Sequence, residues 1–339
     1  METPQATVII MAYNRKDFLK DAILSVASQV TERDKIEVLI VKNFEHPDID
    51  YLINKIGFTS LLIQTNESSG SYLGYALEHS HAELICLLDD DDMFYPQKLD
   101  TIIAEFQRDP KLIYYHNANR RIDVDGVLLE NSGSRSSTVQ LVTTGNNGAV
   151  NAIKLVRALN RRGDVNNSSI CFKTSISKNL KELLMNRRSI DITLFSLALE
   201  SGGNLLIDNR KLTKFRMHES FSHFSGPDKL INTVKYNNLT VIDYTDLMGK
   251  LKGQTSRRYL YCNSLSARIN SFTVLGKRAR LSVREFFLYL GCFRYMRTGY
   301  FAITLSALLI SLLVPTLNSR IFQLYNDRVS KKFYLSTVK

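Results

Sequence analysis

The amino-acid sequence predicts an α/β fold, with a mostly parallel, Rossmann-like sheet flanked by helices and an α-helical C-terminal region. Short apolar runs alternate with amphipathic stretches through most of the chain, which is typical of strands that alternate with helices. One apolar run, residues 84–88, leads directly into four consecutive aspartates. From Pro227 onward the strand patterns stop and helical patterns dominate. We therefore predict one domain over residues 1–226 and a helical region over residues 227–339.

The first elements predict a parallel pair of strands. Residues 7–12 and 36–41 are apolar runs of strand length, and an amphipathic helix with Asn14 as its N-cap is expected between them. A strand, a helix and a second strand in this order require a long crossover, which makes the two strands parallel. The same patterns predict further strands at 61–63, 112–115, 168–172, 205–207 and 212–215. They predict helices at 53–58 and 72–79, a helix that starts at Pro96 and a helix capped by Asp191. A hairpin turn is expected at Asp125-Gly126 and a long loop over 130–150.

The aspartates from Asp89 to Asp92 are the strongest candidate for a functional site. They follow a run whose lack of charge indicates a strand buried on both faces, and α/β folds bind ligands at the carboxyl ends of such strands. Four adjacent carboxylates repel one another, and a divalent cation would relieve that repulsion. A solvated surface turn is the alternative interpretation.

Composition limits the class of partner. The chain has 339 residues and a net charge of +11, with an isoelectric point near 9.4. This balance favours an anionic partner, which could be a nucleic acid, phospholipid head groups or a phosphorylated substrate. The four cysteines have no paired spacing typical of a zinc site or a disulfide framework, so we expect a reducing compartment.

Several segments occur in a fixed order along the chain: Val8 to Arg15, the loop from Asn66 through Gly70 to Gly74, Leu87 to Asp92 with Tyr95-Pro96 and Lys98-Leu99, Asp191, and Arg216 with His218. Together they resemble the family 2 glycosyltransferases, which have a GT-A fold. The resemblance implies an inverting transferase that moves a sugar from a nucleotide-sugar donor to a hydroxyl of a glycan or a lipid-linked acceptor.

The resemblance also implies roles for the acidic residues. Asp89 and Asp91 match the family's Asp-x-Asp positions, which contact the metal and the donor, and their hard oxygen ligands indicate Mg²⁺ or Mn²⁺. Asp90 and Asp92 either contact the ribose or donor sugar or are solvated. Asp191 matches the base that takes the proton of the acceptor hydroxyl, and capping of a helix is its alternative role. Ile190 stands where the family commonly has a glutamate.

Further residues match the nucleotide-binding segments of the family. Ala12, Tyr13 and Asn14 match the loop that holds the nucleotide, although an ordinary turn from strand to helix would explain them too. Asn66 and Gly70 lie in the matching polar loop, and Arg216 and His218 match a segment near the donor phosphates.

The second strand departs from the family pattern. The family usually has an acidic pair at its end, and this chain has Lys42-Asn43. Lysine only donates hydrogen bonds, so Asn43 is the residue whose amide oxygen could accept one from the base or ribose. The identity of the base is therefore open.

The C-terminal region contains an apolar segment, residues 300–317. No charged residue occurs between Arg297 and Arg320, and the segment is slightly shorter than the roughly 20 residues that cross a bilayer. An in-plane or re-entrant helix, a true span and a helix buried in the C-terminal region are the three interpretations. With the flanking basic clusters, this segment leads us to expect a peripheral or monotopic contact with the cytoplasmic face of a membrane.

Two other function classes compete with a transferase. A metal-dependent phosphohydrolase of α/β fold could use the same aspartates. A basic RNA-binding or membrane-binding protein would explain the charge, but the sequence contains no nucleic-acid motif, so we expect no nucleic-acid partner.

Overall fold

A computed structural model describes residues 3–63, 68–129, 140–143, 151, 153, 163–218, 229–296, 298–315, 317 and 320. It divides into two compact units, one formed by residues 1–152 and 163–217 and the other by residues 153–162 and 218–339. The domain boundary at residue 226 stays a prediction.

The first unit alternates strands and helices. Its strands are β1 (Ala6–Ala12), β2 (Ile36–Lys42), β3 (Thr59–Leu62), β4 (Leu84–Asp89), β5 (Met93–Phe94), β6 (Leu112–Ile122), β7 (Gln140–Thr143), β8 (Ile170–Lys173) and β9 (Asn204–Arg216). Its helices are α1 (Leu19–Ala27), α2 (Pro47–Ile56), α3 (Ser69–Glu78), α4 (Lys98–Arg108), α5 (Leu180–Leu184) and α6 (Ile190–Glu200).

The strands form one sheet in the order β3-β2-β1-β4-β8-β6-β9-β5, and β7 pairs with β9. The pairs β3-β2, β2-β1 and β1-β4 are parallel, whereas β8 runs antiparallel to both of its neighbours. All seven residues of β1 are buried, because helices cover both faces of a parallel sheet and leave no polar side. The α/β fold with flanking helices is confirmed.

The positions where several elements begin differ from the predictions. Helix α1 begins at Leu19 and its N-cap is Phe18, whereas Asn14 lies four residues earlier with a left-handed φ of 53° that asparagine tolerates. Helix α4 begins at Lys98, two residues after Pro96. Ser189 stands at the N-cap position of α6, and Asp191 lies in the first turn. The strands predicted at 205–207 and 212–215 form one strand, β9.

The second unit is helical. Its helices are α7 (Lys229–Lys250), α8 (Gln254–Val274), α9 (Val283–Leu290) and α10 (Thr298–Leu313), and a 3₁₀ turn (Gly291–Arg294) follows α9. Buried side chains of α8, α9 and α10 form a core that includes Leu265, Ile269, Tyr289 and Leu308. Among the residues that the structure describes, no helix combines the length and the hydropathy needed to cross a membrane.

A disulfide joins α8 to the 3₁₀ turn, which corrects the expectation from cysteine spacing. Cys262 and Cys292 are bonded, with their Cα atoms 5.5 Å apart and a sequence separation of 30. Helix packing brings these positions together, so no short-range motif could have indicated the pair. Cys86 and Cys171 are buried free thiols.

Candidate functional site

The four aspartates form a tight turn at the carboxyl end of β4. The backbone N–H of Asp92 donates to the carbonyl of Asp89 at 3.2 Å. The turn brings one carboxylate oxygen from each of Asp89, Asp91 and Asp92 within 4.8 Å of the others. Asp90 instead faces Arg15. The structure therefore adds Asp92 to the pair that the sequence predicted as metal ligands.

Burial and mutual repulsion disfavour the charged forms of these carboxylates. Burial, and then the charge of Asp91, raises the pKa of Asp89 to about 7. Burial likewise raises the pKa of Asp90 to about 6, against the opposing effect of Arg15, and it raises the pKa of Asp92 well above its ordinary value. A cation among these oxygens would restore the ionised forms.

The hydrogen-bond pattern of the turn also fits a cation. In the described part of the chain, one oxygen of Asp92 (Oδ2) is buried and accepts no hydrogen bond. Buried oxygens without donors are costly, and a metal ion is one group that can satisfy them. Carboxylate oxygens are the ligands that Mg²⁺ and Mn²⁺ prefer. Asp89, Asp91 and Asp92 are therefore the residues that could hold such an ion.

Arg15, in the turn after β1, contacts two of the aspartates. Its Nη2 lies 2.9 Å from Oδ2 of Asp91, and its Nε donates to Oδ1 of Asp90 at 3.0 Å. The guanidinium therefore neutralises part of the acidic turn. No sequence pattern indicated a role for Arg15, because its partners lie 75 and 76 residues further along the chain.

Asn14 and Asn43 form a reciprocal pair between the ends of β1 and β2. The backbone N–H of Asn14 donates to Oδ1 of Asn43 at 2.8 Å, and Nδ2 of Asn43 donates to Oδ1 of Asn14 at 2.7 Å. Tyr13 beside them is 47% exposed, whereas Ala12 is buried. The pair places polar groups next to an accessible aromatic ring, which is suitable for a nucleoside.

Lys42 points away from this pair. Its Nζ donates to the carbonyl of Phe44 at 2.7 Å and lies 2.9 Å from Oδ1 of Asp50 in α2. The side chain is almost fully buried, so Lys42 anchors α2 to the sheet. Of the two residues that depart from the family pattern, Asn43 alone presents its side chain beside Asn14.

Asn167 and Ser168, in the segment before β8, form hydrogen bonds with the first residue of the acidic turn. Nδ2 of Asn167 donates to Oδ1 of Asp89 at 3.2 Å, and the hydroxyl of Ser168 accepts the backbone N–H of Asp89 at 3.0 Å. Lys98 is fully buried, and its Nζ donates to the carbonyl of Ser168 and to Oγ1 of Thr213. These contacts fix the direction in which the turn leaves β4. Sequence patterns did not indicate Asn167 or Ser168.

Arg216 is buried, and its guanidinium forms hydrogen bonds with groups of the protein. Its Nε donates to the carbonyl of Asp91 at 2.9 Å, and its Nη2 donates to Oδ2 of Asp21 at 2.7 Å. Its backbone N–H donates to Oδ1 of Asp92 at 2.9 Å. Arg216 thus holds the acidic turn in place. His218, two residues further on, is half-buried and belongs to the second unit.

Asp191 lies in the first turn of α6, where its Oδ1 accepts the backbone N–H of Ile192 at 2.8 Å. The buried hydroxyl of Tyr114 has a pKa well above its ordinary value, chiefly through burial and then through the charges of Asp164 and Asp191. The Tyr114 hydroxyl donates to the carbonyl of Gly163, and Asp164 begins the segment that continues to Asn167.

Gly70 determines how closely α3 approaches the segment before α6. Its N–H donates to the carbonyl of Arg187 at 2.8 Å, and a Cβ atom at this position would lie 2.0 Å from the carbonyl oxygen of Leu184. The predicted contact at Asn66 lies outside the described residues.

Comparison with known proteins identifies the domain. Residues 7–161 match the family described as Glycosyl transferase family 2. This part of the chain belongs to glycosyl transferase family 2. An uncharacterized glycosyltransferase from Rickettsia bellii (strain RML369-C) is 32% identical over 140 residues, which cover 40% of this chain. The match spans only 20% of the length of that relative.

Solved structures confirm the fold of this chain. Residues 1–349 of TarS from S. aureus, crystallised with UDP-GlcNAc, superpose with a TM-score of 0.57 over 94% of this chain and 91% of that one, at 11% identity. The same TarS fragment with UDP gives a TM-score of 0.56 over the same shares, also at 11% identity. Similarity at this level of identity extends to the fold, and the predicted GT-A architecture is confirmed.

The tertiary structure brings some of the predicted residues together and gives another one protein partners. It brings Asp89 and Asp91 together, and it pairs Asn14 with Asn43. It gives Arg216 protein partners instead of an open guanidinium. The roles of all the predicted site residues stay predictions.

Proposed function

We propose that this chain is an inverting, metal-assisted glycosyltransferase that moves a sugar from a nucleotide-sugar donor to a hydroxyl of a glycan or a lipid-linked acceptor. The proposal rests mainly on one observation: the acidic turn and the Asn14–Asn43 pair lie at the same edge of the sheet. The acidic turn follows β4 and the Asn14–Asn43 pair follows β1 and β2, so both lie at the carboxyl ends of adjacent parallel strands. Folds of this class bind nucleotides at that edge.

The residues divide between the two halves of the donor. Tyr13, Asn14 and Asn43 would hold the nucleoside, with Ala12 in the wall behind them. Asp89, Asp91 and Asp92 would hold Mg²⁺ or Mn²⁺, and the bound ion would balance the negative charge that grows on the leaving diphosphate. Arg15 would keep Asp90 charged and oriented toward the donor sugar or ribose.

Asp191 is the proposed general base. In the transfer step the acceptor oxygen bonds to the anomeric carbon, the bond from that carbon to the diphosphate oxygen breaks, and the acceptor proton passes to the Asp191 carboxylate. Attack from the face opposite the leaving group inverts the anomeric centre. Arg216 acts on this step only through the acidic turn, as a positioning residue. The donor contacts of Asn66, Gly70 and His218 stay predictions from the sequence.

A panel of nucleotide sugars tests the proposal. The full chain is incubated with each donor and with Mg²⁺, Mn²⁺ or a chelator, and release of the nucleoside diphosphate is measured. One donor should be turned over only with metal, and Asp91→Asn should reduce turnover about a hundredfold or more. The matched control is Asp100→Asn, an identical change at an exposed position in α4, which should leave turnover unchanged.

Two results would contradict the proposal. One is the absence of both turnover and thermal stabilisation with every donor and metal, since a ligand that binds the native state raises the melting temperature. The other is release of inorganic phosphate from simple phosphate esters by the wild type. That result would favour a phosphohydrolase, which the family membership does not favour.

A further inference from the structure

Helix α10 in the second unit has apolar side chains on two opposite faces. One face packs into the helical core through Thr304, Leu308 and their neighbours. On the other face Ile303 is 67% exposed, Leu309 45% and Leu313 82%. We call these three residues the α10 stripe.

The α10 stripe carries no charge. It spans about 15 Å of the helix at 1.5 Å per residue, and no residue of Thr298–Leu313 carries a charge. Water-facing positions of a helix on a globular unit usually carry polar side chains. An apolar row in their place is typical of a surface that binds something.

The net positive charge of the protein is concentrated in the same region. Residues 218–339 contain 18 Lys and Arg against 6 Asp and Glu, a net charge of +12, whereas residues 1–217 contain 26 against 27. An anionic surface would therefore attract the helical region and leave the family 2 domain almost unaffected.

A basic side chain lies close to the start of α10. The guanidinium of Arg294 lies 5.5 Å from the centre of the Phe293 ring, and that ring lies 6.5 Å from the ring of Phe301 in α10. Both Phe293 and Arg294 are exposed. A cation and an aromatic ring next to an apolar stripe suit the boundary between lipid head groups and acyl chains.

We propose that the α10 stripe docks in the plane of an anionic phospholipid surface, with Arg294 among the head groups. The alternative occupant is a second copy of this chain. A symmetric contact between copies would bring two regions of net charge +12 together, whereas anionic lipid compensates that charge. The proposal does not depend on the transferase reaction, and its test uses no donor or acceptor. It gives a physical basis to the predicted contact with a membrane.

Vesicle flotation of the full chain tests the proposal. The wild type should float with phosphatidylcholine vesicles that contain phosphatidylglycerol and should bind pure phosphatidylcholine far less. The double substitution Ile303→Glu with Leu313→Glu should reduce binding to the anionic vesicles at least about tenfold, because it removes apolar burial and adds repulsion. Ile242→Glu is the matched control: this residue is 63% exposed on α7, and its substitution should leave binding unchanged.

A second measurement covers the case in which the double substitution prevents folding. Leu313→Cys is labelled with an environment-sensitive dye in the otherwise native chain, and Ile242→Cys is labelled in parallel. Anionic vesicles should increase the fluorescence of the dye at position 313 and leave that at position 242 unchanged.

Two outcomes would overturn the proposal. The first is equal response of both labelled positions, or equal flotation of the double substitution and the wild type. The second is a wild-type dimer in sedimentation velocity that the double substitution converts to a monomer, since this would assign the α10 stripe to a second copy.

Discussion

Replacement of Gly70 by alanine tests the link between α3 and the segment that leads to Asp191. A Cβ atom at Gly70 would lie 2.0 Å from the carbonyl oxygen of Leu184 and 2.9 Å from that of Arg187. Both obstacles are backbone atoms, so no side-chain rotation relieves the overlap. The segment from Leu184 to Arg187 must move by more than about 1 Å to restore an ordinary contact.

The size of the effect follows from two opposing contributions. Forced overpacking costs about 1–3 kcal/mol and sometimes more, and the higher helix propensity of alanine returns at most about 1 kcal/mol. We therefore expect Gly70→Ala to lower the free energy of unfolding by about 1–2 kcal/mol. For a unit of this size that corresponds to a fall of roughly 2–8 °C in melting temperature. Turnover should fall as well, because Asp191 follows the displaced segment.

Gly74→Ala is the matched control in the same helix. Its added Cβ atom would meet Cγ of Lys181 and Sδ of Met185 at 3.6 Å, which is ordinary van der Waals contact. Alanine should therefore stabilise α3 by about 0.5–1 kcal/mol. Thermal unfolding by circular dichroism of both variants and the wild type decides the matter. A Gly70→Ala protein as stable as the wild type would refute the reasoning.

Three further predictions concern residues around the acidic turn. Burial lowers the pKa of Lys98 to about 8, so the unfolded chain binds more protons between that value and the ordinary pKa of about 10.4. The wild type should therefore gain up to about 3 kcal/mol of stability relative to Lys98→Met as pH rises through this window, and parallel pH profiles in urea unfolding would contradict this. Arg216→Lys should lower the free energy of unfolding by about 2–4 kcal/mol, because lysine cannot form hydrogen bonds with both Asp21 and the carbonyl of Asp91. An unchanged denaturation curve would show that the guanidinium contacts are dispensable. Asn43→Leu should weaken nucleotide binding about tenfold in calorimetry, and equal affinity would exclude Asn43 from the nucleoside site.

The sequence by itself determined the parts of this protein that depend on short-range patterns. Buried strands such as β1 and β4 are visible as uncharged runs, because a strand covered on both faces cannot carry exposed polar residues. The aspartates at the end of β4 were recognisable for the same reason, since a carboxylate cluster that follows a buried strand has few structural explanations. The alternation of these runs with amphipathic stretches was enough to predict the α/β class.

Only the tertiary structure decided which side chains meet. Arg15 reaches Asp90 and Asp91 because β1 and β4 are adjacent in the sheet, although 75 residues separate Arg15 from Asp90 in the sequence. The position of Asn14 outside α1, the use of Arg216 to hold the turn and the bond between Cys262 and Cys292 all depend on contacts of this kind. The exposure of the α10 stripe belongs with them, because an apolar helix reads the same in sequence whether its second face is covered or open. Local patterns report the period and polarity of a segment, whereas partners distant in sequence are determined by how the segments pack.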